Sequence, residues 1–288
     1  MPTLVAPQAT IEEYKNVTAE SLVGWVSPSL LETARAKSLQ AEFGGIPDAD
    51  DISDEAEMRR VKLLNAQASS YLLGLVQQQP KPAQMLIYSE VAAKYLPELV
   101  RLWRERPQAQ NAAAELLNTT TTTAYFVRYM RSPAAAGLVG MQAKRIAEQF
   151  DTIATYTADD VASLGQFLST LLLLQGDEEV ETRDKEILVR RMPEWQTKYP
   201  GRLAKEVAER CLGIFREEQM MMFMTGQMKK MLSASLEKCG GPGCTKMTRQ
   251  DGTELLQCSR CKSAVYCSVE HQKAAWASHK KICFSPAF

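Results

Sequence analysis

The stretch that decides the fold reads Cys239-Gly-Gly-Pro-Gly-Cys244, then Cys258-Ser-Arg-Cys261, Cys267-Ser-Val-Glu-His271 and His279-Lys-Lys-Ile-Cys283. It holds six of the seven cysteines of the chain and both of its histidines. Eight thiol and imidazole groups at Cys-x4-Cys, Cys-x2-Cys, Cys-x3-His and His-x3-Cys spacings supply two tetrahedral zinc sites. The odd cysteine count, the short paired spacings and the interleaved histidines fit thiolate ligation in a reducing compartment better than disulfides. The remaining cysteine, Cys211, sits in the apolar stripe Ala204, Val207, Ala208, Ile214 and Phe215, with no base nearby to activate it. A buried, inert thiol is expected there.

Outward from this segment the composition is balanced. Among 288 residues, Lys plus Arg and Asp plus Glu number 34 each, so no global field draws the chain to nucleic acid or to an anionic membrane. Met1 to Thr10 has neither a basic start nor an apolar run, and the longest apolar run, Leu171 to Leu174 within Phe167 to Leu174, is far too short to span a bilayer. The expectation is an intracellular protein with no membrane segment, with nucleus and cytoplasm both allowed, since no dense Lys/Arg run marks an import signal.

From about Ile11 to Leu236 the hydrophobic pattern is helical, and caps and breakers divide it. Ser27-Pro28 starts one helix and Gly44-Gly45 stops it. A second should run from Ser53 to Pro80, with Asp54, Glu55 and Glu57 at the positive end of its dipole. Further helices are expected over 83–95, 97–104, 109–118, 121–131, 133–150, 158–174, 180–191, 203–218 and 219–236. Each amphipathic helix must bury its stripe on neighbours, so 1–235 is expected to be an all-α domain, either a multi-helix bundle or an irregular armadillo/HEAT-like solenoid. The zinc segment, 236–288, forms the second domain.

Two features of the helical part have competing readings. The run Thr119 to Thr123 could be a phosphorylated or hydroxyl-lined element, but threonine caps helices better than it fills them, which favours a turn entering a helix. Met220, Met221, Met222, Met224, Met228 and Met231 crowd one helix. Flexible thioethers make adaptable binding faces, yet apolar residues at helical spacing usually face a core, and the core reading is preferred here.

Within the zinc segment, Asp251-Gly252 gives a short hairpin signal, and Ser268 caps a helix that carries His271 and His279 about two turns apart. So short a stretch, with few large apolar groups, cannot hold itself together by burial. Metal binding, about 10 to 16 kcal/mol apparent per structural zinc in finger peptides, must supply the folding free energy.

Cys258-Ser-Arg-Cys261, Val265-Tyr-Cys-Ser268, His271-Gln272, Trp276 and His279-Lys-Lys-Ile-Cys283 together closely resemble the MYND-type zinc finger. The resemblance covers roughly Cys239 to Cys283, under a fifth of the chain. It implies a cross-brace, in which Cys239, Cys244, Cys267 and His271 hold one zinc ion and Cys258, Cys261, His279 and Cys283 the other. Spacing alone leaves sequential pairing open. Two departures stand out: the first pair is separated by four residues where two are common, and His271 stands where the family usually has cysteine.

The same resemblance implies a protein-interaction module whose proline-motif groove lies beside the second zinc, at the positions of Ser259, Gln272 and Trp276. An indole gives prolines a rigid platform, while the amide and hydroxyl can satisfy an extended backbone. Trp276 could equally complete the small core between the metal sites. The function expected is a non-enzymatic adaptor that binds proline-containing partners, with transcriptional regulation as one setting. If both histidines are ligands, none remains for acid–base work, and closed four-ligand sites leave no open metal position. A MYND-associated lysine methyltransferase is the alternative, opposed by the lack of a Gly-rich cofactor loop or an Asn-His-x-Cys motif. A nucleic-acid-associated regulator is another. From Cys239 onward seven basic residues meet three acidic ones and about two negative charges at the zinc sites, which leaves no concentrated basic stripe and argues against direct contact.

Overall fold

The computed structural model describes residues 17–24 and 73–288. The helix expected over 27–44, and residues 53–72 of the one expected from Ser53 to Pro80, lie outside the described residues. The chain divides into two compact units, 1–91 and 92–288. The boundary expected at 235/236 falls inside the second unit.

In the first unit, helix α1 (Ala19–Gly24) buries Leu22 and Val23. Residues 73–77 are helical, and the Gln84 amide donates to the carbonyls of Gln77 (2.8 Å) and Gln79 (2.7 Å), closing the turn through Pro80. Helix α2 (Lys81–Glu105) is 25 residues long and crosses the unit boundary, with Ala93 and the internal Pro97 both in the second unit. The sequence divides this region into helices on either side of Pro97; the structure shows one. Proline removes a single ladder hydrogen bond, the one its missing N–H would give to the carbonyl of residue 93. That carbonyl is taken up elsewhere: Ala93 accepts from the backbone N–H of Ala287 at 2.8 Å.

The second unit is an irregular bundle continued by the zinc segment. Its helices are α3 (Ala112–Thr120), α4 (Ala124–Met130), α5 (Leu138–Glu148), α6 (Phe150–Ile153), α7 (Ala158–Gln175), α8 (Thr182–Arg191), α9 (Pro193–Lys198), α10 (Leu203–Phe215) and α11 (Gln219–Glu237). The threonine run is the turn between α3 and α4. The hydroxyls of Thr119, Thr120 and Thr121 each donate to the carbonyl three residues back, and Thr123 caps α4 by accepting from Phe126 N–H. The stretch expected as one helix over 133–150 breaks at Gly137 (φ +76°), because only a left-handed residue turns the short 3-10 element Pro133–Ala135 into α5. Helix α9, not expected, begins at Pro193, which can open a helix but not continue one.

Helix α7 decides between bundle and solenoid. It is apolar nearly all round, burying Val161, Leu164, Phe167, Leu168, Leu171 and Leu172, and it packs against α3, α4, α5, α10 and α11. A helix enclosed on so many sides is the centre of a bundle, not a rung of a solenoid. Thr157 and Asp160 form a reciprocal capping box at its start. Its tightest crossing is with α10, where a Cβ on Gly165 would lie 2.5 Å from a Val207 methyl. At the same crossing the Cys211 thiol lies 3.7 Å from the Gly165 carbonyl, and burial pushes it up to about 12. Trp103 meets Phe167 edge-on at 5.6 Å and Phe150 stacks on Trp195 at 5.1 Å, filling the layers on either side.

Gly165→Ala should force α7 and α10 apart and lower stability by about 1–3 kcal/mol, seen as a lower thermal midpoint of the helical signal. An unchanged midpoint would mean that the crossing has slack that the contact distances deny.

Candidate functional site

After α11 the chain enters a ligand-bearing segment with little regular structure. Its strands, β1 (Leu256–Gln257) and β2 (Val265–Tyr266), pair antiparallel, Leu256 opposite Tyr266 and Gln257 opposite Val265. The hairpin signal at Asp251-Gly252 is a turn, with Gly252 at φ +79° and Asp251 accepting from Thr253, but the ladder forms elsewhere. It spans the Cys258–Cys261 loop, whose ends are already held together: Cys258 N–H donates to Ala264 O and Lys262 N–H to Cys258 O. Helix α12 (Val269–His279) starts where Ser268 accepts from His271 N–H, placing His271 in the first turn and His279 at the last residue.

The eight ligand atoms form two groups, Cys239, Cys244, Cys267 and His271, and Cys258, Cys261, His279 and Cys283, each with all its atoms within 4.8 Å of one another. The sites interleave along the chain, as the cross-brace requires. A tetrahedral zinc with bonds of about 2.3 Å to sulfur and 2.0–2.1 Å to nitrogen demands ligand separations of about 3.8 Å between sulfurs and 3.6 Å between sulfur and nitrogen. The Cys244–Cys267 and Cys258–Cys283 sulfurs are 3.8 and 3.7 Å apart. Cys261 Sγ lies 3.5 Å from His279 Nε2; His271 Nδ1 lies 3.4 Å from Cys239 Sγ and 3.2 Å from Cys267 Sγ. Donor set and spacing both fit two zinc ions. The second group is wholly buried, the first partly exposed.

Backbone amides steady the sulfurs. Gly241 and Cys267 N–H groups point at Cys239 Sγ, and Ser263 N–H at Cys261 Sγ. Burial pushes the Cys239 thiol up, but those two amides and His271 outweigh it and bring it down to about 6. Burial and the neighbouring sulfurs push Cys267 up to about 11 and Cys283 to about 12. Three sulfurs this close ionise together only around a cation, and a divalent metal supplies that charge. The long first pair has a steric cause: a Cβ on Gly241 would lie 2.7 Å from the His271 ring, and Gly243 sits at φ +66°. The Gly-Gly-Pro-Gly loop lets an imidazole approach the backbone.

Ser259 is exposed, Gln272 half-buried and Trp276 43% exposed, its ring centroid 5.9 Å from that of His279 at a tilt of 56°. Tyr266 fills the space between the sites, its ring 6.0 Å from His279. Trp276 covers a ligand and still shows a large face to solvent.

The contacts that seat the finger on the helices escaped sequence reading. The Tyr125 hydroxyl accepts from Phe284 N–H (2.8 Å) and lies 2.9 and 3.0 Å from the carbonyls of Ile282 and Phe284. Arg128 reaches Cys261 O and Phe288 O and stacks on the Phe288 ring, which meets Tyr129 edge-on. Arg131 binds Ser233 and Glu237 on α11. The apolar tail Phe284-Ser-Pro-Ala-Phe288 was the available signal.

Cys261→Ser should lower the zinc content from two per chain to one or less and disorder α12, while the helical signal of α2 to α11 persists, readable by metal analysis and circular dichroism. Pro97→Ala should restore an N–H that competes for the Ala93 carbonyl, speeding hydrogen exchange at the Ala287 amide with zinc retained. Unchanged exchange there would mean that the tail is held by its rings alone.

The comparisons with known proteins agree with this geometry. A family profile described as MYND finger matches residues 237–283. Egl nine homolog 1 of Homo sapiens is 40% identical over 53 residues, 15% of this chain and 12% of that protein, and its Mus musculus counterpart is 38% identical over 53 residues, 15% and 13%. The match thus spans about an eighth of the length of these relatives. No solved structure matches the chain. Residues 237–283 are a MYND finger, built on two Cys3His zinc sites at the end of an all-α body.

Proposed function

We propose that the protein is an adaptor whose finger docks short proline-containing motifs of partner proteins. The observation that carries this reading is the exposed face of Trp276 beside the second metal site, with Gln272 one turn before it on α12 and exposed Ser259 following ligand Cys258. A fixed indole suits the ridge of a polyproline helix, which has no internal hydrogen bonds and leaves its carbonyls to an amide and a hydroxyl. The contacts of Tyr125, Arg128 and the tail favour a groove presented in one orientation, so a captured motif is held at a set place relative to α2 and α4. The adaptor carries out no catalysis in this reading, both histidines being ligands. Transcriptional regulation is the setting proposed, with contact to nucleic acid indirect, through partners. No helix among the described residues is long and apolar enough to cross a membrane.

Calorimetric titration of the zinc-loaded chain with a Pro-x-Leu-x-Pro peptide tests the reading. Saturable binding is expected, weakened about tenfold or more by Gln272→Ala or Trp276→Ala, with two zinc ions still bound. No heat from a folded, zinc-loaded finger would sink the proline-motif reading, and loss of zinc in Trp276→Ala would reassign the indole to the core.

A further inference from the structure

The methionine-rich helix contradicts the core packing expected of it. Met220, Met222, Met224, Met228 and Met231 are 38% to 76% exposed, whereas Met221 is half-buried. Beside this stripe of thioethers on α11 lies a cleft of about 180 Å³, bounded also by α7, α10 and the turn into α4. Met221, Met224 and Met228 line it from α11, together with Leu173 of α7 and Ile214 of α10. The helix is anchored against collapse into this space. Met221 packs so closely on α10 that a Cβ on Gly213 would lie 2.7 Å from its Cγ, and Arg131 ties Ser233 and Glu237 to α4.

A single charged side chain lines the cleft, Arg210 of α10, and it is half-buried. Its Nη2 donates to the Gln166 amide oxygen at 2.6 Å, and the Gln166 nitrogen donates in turn to the Thr170 hydroxyl at 3.1 Å. This relay of neutral groups fixes the guanidinium without neutralising it. Among the described residues Arg210 makes no ion pair: Glu206, one turn back on α10, is exposed and outside ion-pair distance, and Glu209 pairs with Lys205 at 3.6 Å. The hydroxyls of Thr121, Ser169, Thr170 and Thr225 each donate to a carbonyl three or four residues back, so their protons are already committed. The strongest donor left to a guest in the cleft is therefore the guanidinium.

We propose that this cleft binds a small monocarboxylate with an apolar tail, its carboxylate on Arg210 and its tail among Met221, Met224 and Met228. Charge selects the head. One guanidinium and no acidic side chain in the lining call for one negative charge, and a carboxylate matches two parallel N–H groups of the arginine fork. A dianionic phosphate would need more donors than the lining holds. Volume selects the tail. An apolar cavity of about 150 Å³ takes up benzene, so a cleft of about 180 Å³ accepts a tail of about six to eight carbons, the size of a free small acid. Methionine makes the tail selection loose, because three rotatable bonds per side chain let one lining fit straight, branched or ring-shaped groups.

Titration of the zinc-loaded full chain, its methionine methyl groups isotope-labelled for NMR, with octanoate is the test. Saturable shifts of the Met221, Met224 and Met228 methyls are expected, with a dissociation constant below about 1 mM, while exposed Met247 of the finger stays still. Octanol, which keeps the tail and lacks the charge, should bind about tenfold more weakly. Arg210→Met should weaken octanoate by a similar factor and leave octanol unchanged, with helical signal and zinc content as before. Thr225→Phe, which puts a ring into the cleft, should weaken both ligands. No saturable shift up to about 5 mM octanoate would overturn the proposal. So would equal binding of octanoate and octanol, octanoate binding indifferent to Arg210→Met, or shifts that survive Thr225→Phe.

Discussion

Six cysteine sulfurs crowd two imidazoles at the end of this chain, and as thiolates they are tolerable there only with cations between them. Everything distinctive about the finger follows from that constraint. The ladder of β1 and β2 is two residues long and could not persist in water alone. It exists because the loop it spans is closed by Cys258 and Cys261 on a metal. Helix α12 is short and carries no strong apolar stripe, and it is pinned at both ends by His271 and His279. The interleaved ligand sets mean that neither site completes without backbone shared with the other.

The helical body is stabilised by different means and meets the finger through a local defect. Pro97 deprives the Ala93 carbonyl of its usual donor within α2, and the tail fills the gap with the Ala287 N–H. Tyr125 and Arg128, on α4, add hydrogen bonds to the backbone of the last finger residues. Burial pushes the Tyr125 hydroxyl above its ordinary range, so it stays a neutral donor and acceptor at this junction. Finger and body thereby form one compact unit although they fold by unlike chemistry, one by metal ligation and the other around the enclosed helix α7.

Much of this was legible because it is local. Ligand spacing announces zinc, since thiolate and imidazole at such intervals have little other use, and threonine chemistry announces the turn into α4. Other features depend on partners far away in sequence. Pro97 reads as a helix boundary because its neighbours cannot show that a carbonyl one turn back will find a donor at Ala287. The methionines of α11 read as core because periodicity reveals that a helix has an apolar face, not whether anything in the chain packs on it.

The sequence by itself determined the ligand set, the number of metal sites and the helical character of the body, because these depend on side-chain chemistry and on spacings of a few residues. Only the tertiary structure decided the rest. It shows which cysteine joins which site, that the helices form a bundle around α7, that the finger is seated on α2 and α4, and that Trp276 and the α11 stripe face solvent. Those outcomes depend on which surfaces meet, and contact between residues far apart in the chain leaves no periodic trace in their order.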